Sequence, residues 1–263
     1  MTLWMPKKKP LYAPMLATFG GGSVRGFRSG GEQPYAGGLR LHLDGKQDIS
    51  SNNLTVTDYN NDIGTNTSQL PYNNGETSMY FFGKQNESAL VIPNVMSNST
   101  ASTPWCVEFW YYLSGQPQTD SPLAFNSTAS GGNDMTILFG YGVGIASIGT
   151  VGMDLYTVNW GTYPLSASTW IHFCLSCDGA GRVNFWLDGQ YQSTFTGVTM
   201  SDFSQSTLVV GNEADSTPIR GSANLFPGYI ADVRVWDIDA YAAAGVGNFT
   251  PATSLTSHPY QTM

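Results

Sequence analysis

Charged residues are scarce in this 263-residue chain, of which they make up only 11%, against about 25% in an average soluble protein. Helical surfaces normally carry many Glu and Lys residues, so this scarcity argues against a helical bundle or a coiled coil. Glycine is abundant at 30 residues, and 13% of the residues are aromatic. This balance favours strands and turns, and a hydrophobic fraction of 41% is enough to build a core.

Long apolar runs and cysteines are also few. No run approaches the roughly 20 apolar residues of a membrane helix, and Pro6, Pro10 and Pro14 interrupt the region where a secretory signal would lie. The three cysteines are an odd number, which indicates a reducing compartment rather than a disulfide scaffold. We therefore expect a protein that is made in a cytoplasm and does not insert into a membrane.

Positive charge is concentrated near the N-terminus. Residues 1–40 hold six of the eleven basic residues and one acid, a net charge of +5, whereas residues 41–263 carry −13. Because residues 1–38 combine repeated Pro and Gly with large apolar side chains, we predict an extended basic arm that packs on another subunit. Packing on its own domain and a disordered tail are the alternatives. The predicted anchors are Trp4, Lys7, Lys8, Lys9, Leu11, Tyr12, Met15, Phe19, Arg25, Phe27 and Arg28.

From Leu39 onward, short segments of strand character alternate with turn signals. Asp-Gly pairs at 44–45, 178–179 and 188–189 mark tight turns. The pattern predicts an all-β, two-sheet antiparallel sandwich, and helical pattern is nearly absent. The predicted strands are 39–43, 78–82, 89–92, 105–113, 135–139, 143–148, 151–158, 170–176, 183–187, 208–210 and 229–236, and the core is expected to bury Trp110, Trp170, Trp186 and Trp236.

Six segments occur in the order seen in laminin-G-like domains. They are 39–45, 107–110, 170–172, 185–189, 208–212 and 228–236. On these segments the chain resembles the concanavalin A-like lectin/glucanase superfamily. The resemblance implies a two-sheet jelly roll over residues 39–257, followed by a tail at 258–263. The ending 248–254 and the glycine-rich leader 18–27 resemble segments of structural proteins from tailed phages, which implies a virion protein.

Catalytic and zinc chemistry have little support in the sequence. Glycosidases need two acids facing one sugar, and glucanases that resemble this chain place them on alternate residues of one strand, whereas Trp110 and Tyr112 follow Glu108 on its face. Cys174 and Cys177 form a single C-x-x-C that lacks a second pair for zinc and whose side chains should point to opposite faces of a strand. We therefore predict that the chain is not an enzyme.

Calcium is the one metal that the resemblance suggests. Relatives often hold a structural calcium ion through an aspartate on a terminal strand, which makes Asp232 the candidate ligand and Asp44 a second one. The alternative is that each carboxylate caps a turn or accepts backbone hydrogen bonds. No other cofactor is expected.

Carbohydrate is the ligand class that the resemblance suggests. Sugar recognition needs aromatic faces for stacking together with amide and hydroxyl groups for hydrogen bonds. The candidate residues are Tyr141, Tyr156, Asn159, Trp160 and Tyr163. The alternative is that the aromatic residues among them pack in the core or at a subunit interface.

These observations predict a non-enzymatic phage structural protein, a tail appendage or fibre component that contacts host-surface glycans through its lectin-like domain. Its arm would bind other virion proteins, and the chain would form a homo-oligomer. A capsid decoration (cement) protein that braces neighbouring capsomers and a free carbohydrate-binding module are the alternatives. Nucleic acid is not an expected partner, because the body carries −13 and would be repelled.

Overall fold

The structure is a computed structural model that describes residues 38–72, 75–82, 88–96, 102–114, 120–127, 133–139, 151–153, 156–158, 168–196, 206–212, 226–242 and 244–255. The predicted arm, including its eleven anchor residues from Trp4 to Arg28, and the tail at 258–263 lie outside these ranges. None of the described residues forms an α-helix or a helix that could cross a membrane.

The described chain is all-β and every strand pairing in it is antiparallel. A sheet of nine strands follows the order β14-β13-β12-β7-β16-β1-β2, with β5 also pairing to β16 and β4 to β5, and a sheet of five follows the order β3-β6-β15-β8-β9. A separate hairpin joins β10 and β11. The strands are β1 Leu39–Asp44, β2 Gln47–Asp48, β3 Thr57–Tyr59, β4 Gly64–Asn66, β5 Ser78–Phe82, β6 Ala89–Pro93, β7 Trp105–Leu113, β8 Asp120–Ser127, β9 Asn133–Phe139, β10 Val151–Met153, β11 Tyr156–Val158, β12 Trp170–Cys177, β13 Val183–Leu187, β14 Gln190–Phe195, β15 Ser206–Val210 and β16 Pro227–Trp236.

This architecture confirms the predicted two-sheet jelly-roll sandwich and most of its strands. The strands at 105–113 and 183–187 have the predicted bounds, whereas 151–158 is a hairpin rather than one strand. The predicted strand at 143–148 lies outside the described residues. The sequence analysis missed two long strands, β8 and β14. β8 contains Pro122, and proline is rare inside a strand. β14 has no clear apolar alternation.

The main core lies between the two sheets. Side chains alternate along β7, so that Phe109 and Tyr111 enter this core while their neighbours face the opposite way. Phe109 stacks on Phe173 of the adjacent β12 with ring centroids 4.9 Å apart. Of the four tryptophans expected in the core, Trp186 and Trp236 are buried, whereas Trp110 and Trp170 are half-buried. All four alternate with core residues and occupy the outward side of the nine-stranded sheet.

We call this side of the nine-stranded sheet the outer face. The chain after β16, residues 237–255, covers part of it and encloses Trp186 and Trp236, which are 0% and 1% exposed. Tyr241 and Phe249 pack on Trp186 with centroids 5.8 and 5.7 Å from its ring. The Trp186 indole donates a hydrogen bond to the Gly247 carbonyl at 2.9 Å. We call the described residues after β16 the C-terminal cover, which builds a second, smaller core on the outer face.

Candidate functional site

Beside this cover, the outer face contains a buried ionic network centred on Asp232, which is 3% exposed. Arg234 donates hydrogen bonds to both of its oxygens, from Nε to Oδ1 at 2.7 Å and from Nη2 to Oδ2 at 2.8 Å. His42 Nε2 lies 2.7 Å from Oδ1, and Tyr72 donates its hydroxyl hydrogen to Oδ2. Burial alone would raise the pKa of the Asp232 carboxyl, but Arg234 and His42 hold that pKa well below its usual range.

Glu108 extends the network toward the C-terminal cover. Its Oε2 lies 3.2 Å from Nε2 of His172, and its Oε1 lies 3.7 Å from Nη1 of Arg234. Tyr241 donates its hydroxyl hydrogen to Glu108, and burial followed by the charge of Glu108 raises the pKa of Tyr241 well above its usual value. Two carboxylates therefore share one buried guanidinium between them.

A β-bulge creates this arrangement. Ala231 pairs with Trp110 and Arg234 pairs with Glu108, so β16 has two residues where β7 has one. Asp232 adopts a φ of 49°, a left-handed conformation that non-glycine residues rarely take. The extra residue lets Asp232 and Arg234 meet on the outer face while Val233 enters the main core. A strict period of two along β16 would place Tyr229 and Arg234 on opposite faces, so alternation alone does not predict that both lie on the outer face.

The groups around Asp232 and Asp44 do not form the expected calcium site. Calcium takes six to eight oxygen ligands, whereas the oxygens of Asp232 accept hydrogen bonds from a guanidinium that would repel a cation. Asp44 accepts a hydrogen bond from the Thr77 backbone at 2.6 Å, the alternative role expected for it. Among the described residues, no group of three or more His, Cys, Asp or Glu side chains could hold a metal ion.

The depressed pKa of Asp232 predicts a loss of stability in acid. Because the folded pKa lies below the unfolded value of about 3.9, the stabilisation is complete above about pH 5 and declines as the pH falls toward the folded pKa. Urea unfolding between pH 3 and pH 7 should show this slope. Replacing Asp232→Asn should lower stability at pH 7 and flatten the slope, and an unchanged slope in that variant would assign the acid sensitivity to other carboxyls.

Beyond the network, a row of four aromatic residues crosses the outer face. Tyr80 of β5 pairs with Tyr229 of β16, Tyr229 pairs with Tyr112 of β7, and Tyr112 pairs with Trp170 of β12. All four are half-buried. We call Tyr80, Tyr229, Tyr112 and Trp170 the aromatic ladder. Exact register across four neighbouring strands aligns these rings, which come from distant parts of the sequence.

The rings of the ladder contact one another but keep polar groups available. Ring centroids are 4.7 Å apart for Tyr80 and Tyr229, 5.7 Å for Tyr112 and Tyr229, and 5.7 Å for Tyr112 and Trp170. Within the described chain, the three tyrosine hydroxyls form no hydrogen bond and are not buried. The Trp170 Nε1 is buried without a hydrogen-bond partner. The ring centroid of Phe82 lies 4.7 Å from that of Tyr80. Phe82 is 49% exposed and extends the apolar surface.

The predicted sugar-binding residues cannot be compared with the ladder. Tyr141, Asn159, Trp160 and Tyr163 lie outside the described residues, and only the backbone of Tyr156, at the start of β11, is described. These residues stay predictions. The ladder itself was missed, although the alternation in Trp105–Leu113 and Trp170–Cys177 could have shown that Tyr112 and Trp170 share faces with polar residues.

The cysteines behave as the sequence predicts. Cys174 lies in the small core under the C-terminal cover and Cys177 in the main core, which confirms that they point to opposite faces. Burial raises the pKa of both thiols and of Cys106. Buried thiols of this kind are unreactive, so we assign them a packing role.

A family model described as the Concanavalin A-like lectin/glucanases superfamily matches residues 82–244, more than half of the chain. The matched range contains three of the four ladder residues and both carboxylates of the ionic network. A comparison with curated proteins finds no match.

Among solved structures, the chain is similar to domain 4 of an extracellular arabinanase from Geobacillus stearothermophilus, solved in complex with arabinotriose. The TM-score is 0.53 at 16% identity, covering 83% of this chain and 96% of that one. It is also similar to the receptor-binding domain of botulinum neurotoxin D (TM-score 0.52, 14% identity, 76% of this chain and 49% of that one). The third similar structure belongs to botulinum neurotoxin type C, whose cell entry depends on interaction with two ganglioside molecules (TM-score 0.52, 12% identity, 76% and 48%). The chain thus spans about half of the two toxin chains, and at these identities the likeness shows the fold alone.

Proposed function

This chain belongs to the Concanavalin A-like lectin/glucanases superfamily, and from that premise we propose that it is a carbohydrate-binding structural protein of a phage particle, a tail appendage or fibre component. The similar structures supply the ligand class, since one was solved with arabinotriose and another belongs to a toxin that interacts with gangliosides. The observation that carries the proposal is the aromatic ladder, because solvent-facing aromatic rings with available hydroxyls are what sugar recognition requires.

A binding role agrees with the chemistry of the outer face better than an enzymatic one. Glycoside hydrolysis needs two carboxyl groups that both reach one sugar. Glu108 and Asp232 are only 2% and 3% exposed, and both are engaged by Arg234. A sugar at the ladder would therefore meet rings and hydroxyl groups rather than carboxylates. We propose that the domain binds its glycan without cleaving it.

The proposed place on a phage particle rests on the N-terminal region. Residues 1–40 carry +5 and residues 41–263 carry −13, so that arm and body are electrostatically complementary between copies or between neighbouring proteins. The apolar side chains of the arm would add buried area at about 25 cal/mol per Å², reduced by the cost of ordering the segment. The arm favours an anchored particle protein over a free carbohydrate-binding module.

Two measurements test this function. Gold-labelled antibody against residues 39–257 should mark the tail of intact particles from the source, and the full-length chain should bind glycans on an array. Label spread over the head would instead favour a capsid decoration protein. Absence of the protein from both intact and disrupted particles would overturn the phage assignment, and failure to bind any glycan would overturn the lectin role.

A further inference from the structure

We propose that the aromatic ladder binds an uncharged oligosaccharide that lies across the strands. This inference rests on the proposed function and names the ligand class and the site. It uses other residues than those predicted from the sequence, and each of them lies on a strand of the nine-stranded sheet.

The dimensions of the ladder indicate more than one sugar unit. The ring centroid of Tyr229 lies 4.7 Å from that of Tyr80 and 6.4 Å from that of Trp170, so the rings span at most about 11 Å. On β4, Gly64 pairs with Tyr80, and because glycine has no side chain the row of rings ends at Tyr80. Neighbouring rings are tilted by 40° to 81°, so successive sugars would meet a ring face at one step and a ring edge at the next.

The polar groups of the ladder suit hydroxyl-rich ligands. Tyr80, Tyr112 and Tyr229 each present a hydroxyl that forms no hydrogen bond within the described chain, and a phenol can both donate and accept. The Trp170 Nε1 is a buried donor without an acceptor, an arrangement that costs free energy. A sugar hydroxyl seated beside the Trp170 ring would supply that acceptor once the indole edge opens slightly.

The charge pattern selects an uncharged glycan. No ladder residue is charged, and the charged residues next along β16, Asp232 and Arg234, are buried and paired with each other. Of the other described bases after residue 40, Lys46 and Arg182 form ion pairs with Asp58 and Asp178. Among the described residues, a sialylated glycan would find no unpaired cation at the ladder, and it would approach a body of net charge −13.

Calorimetric titration of the full-length chain tests the inference. The probes are unbranched neutral oligosaccharides of arabinose, glucose or galactose with one to four units, together with sialylated oligosaccharides of the same length. We expect binding to a neutral series whose affinity rises with length, and weaker binding of the sialylated probes. Trp170→Ala and Tyr229→Ala should each weaken binding by about tenfold.

Matched variants separate the site from general damage. Tyr59→Ala removes a half-buried tyrosine from β3 of the other sheet and should leave affinity unchanged, as should Lys84→Gln, which removes a base that follows β5. Tyr229→Phe keeps the ring and should lose less affinity than Tyr229→Ala. Thermal unfolding of each variant confirms that it is folded.

The outcomes distinguish this inference from the proposed function. Length-dependent neutral binding that the ladder variants weaken supports both. Neutral binding that these variants leave unchanged, or binding of sialylated probes alone, overturns the ladder assignment but leaves a carbohydrate-binding protein. Absence of binding to every probe and to a glycan array overturns both.

Discussion

Replacing Arg234 with methionine should lower the free energy of unfolding by about 3–5 kcal/mol, the cost of leaving buried charges without their partner. Arg234 is 0% exposed and contacts the carboxylates of both Asp232 and Glu108. It also donates a hydrogen bond from Nη2 to the Ser254 carbonyl at 3.0 Å, which ties the C-terminal cover to the sheet. Methionine keeps much of the side-chain volume but none of these interactions.

Thermal and urea unfolding measure this loss, and Arg182→Met is the matched control. Arg182 is 56% exposed and pairs with Asp178 at 3.3 Å within one turn, so its replacement should change stability by about 0–1 kcal/mol. The melting temperature of Arg234→Met should fall by on the order of 10 °C. If the two variants unfold alike, the ionic network does not hold the outer face together.

Replacing Gly189 with alanine should destabilise the domain by about 2–5 kcal/mol, as the sum of backbone strain and overpacking. Gly189 adopts a φ of 69° in the turn that joins β13 to β14. An alanine Cβ there would collide with the backbone carbonyl of Phe249, whose N–H donates to the Gly189 carbonyl at 2.8 Å. The C-terminal cover must therefore move away from the sheet.

Gly245→Ala isolates the collision from the strain. Gly245 has a similar φ of 55°, but nothing lies within 4 Å of the position its Cβ would take. The Gly245→Ala substitution should lower the free energy of unfolding by only about 1–2 kcal/mol. Because Phe249 and Tyr241 pack on Trp186, tryptophan fluorescence and limited proteolysis should report loosening of the cover in Gly189→Ala alone. Equal effects in the two variants would show that the cover is not held at Gly189.

The sequence predicted the class of fold well, because strand signals are local. Alternating residues in Trp105–Leu113 and Asp-Gly turns such as Asp188-Gly189 act over a few residues and need no knowledge of distant partners. It failed where the choice between two faces mattered. Trp110 and Trp170 were expected in the core but are half-buried on the outer face, because alternation states only which residues share a face and not which face is covered.

The candidate site could not be predicted from the sequence for a related reason. The glycan residues expected in 141–163 were chosen for residue type, and they lie outside the part of the chain with described side chains. The calcium expectation singled out Asp232 for its place on a terminal strand and did not include its ion pair with Arg234. Its contacts with His42 and Arg234 depend on the bulge in β16 and on the pairing of β16 with β1.

The sequence by itself determined that this protein is built of strands, where its tight turns lie and how charge divides between residues 1–40 and the remainder. Only the tertiary structure decided that Tyr80, Tyr112, Trp170 and Tyr229 form one row and that Asp232, Arg234 and Glu108 share one buried cluster. The physical reason is that composition and turn propensity act locally. Strand register joins residues up to about 200 positions apart, such as Leu39 and Trp236, and burial of the whole core selects it.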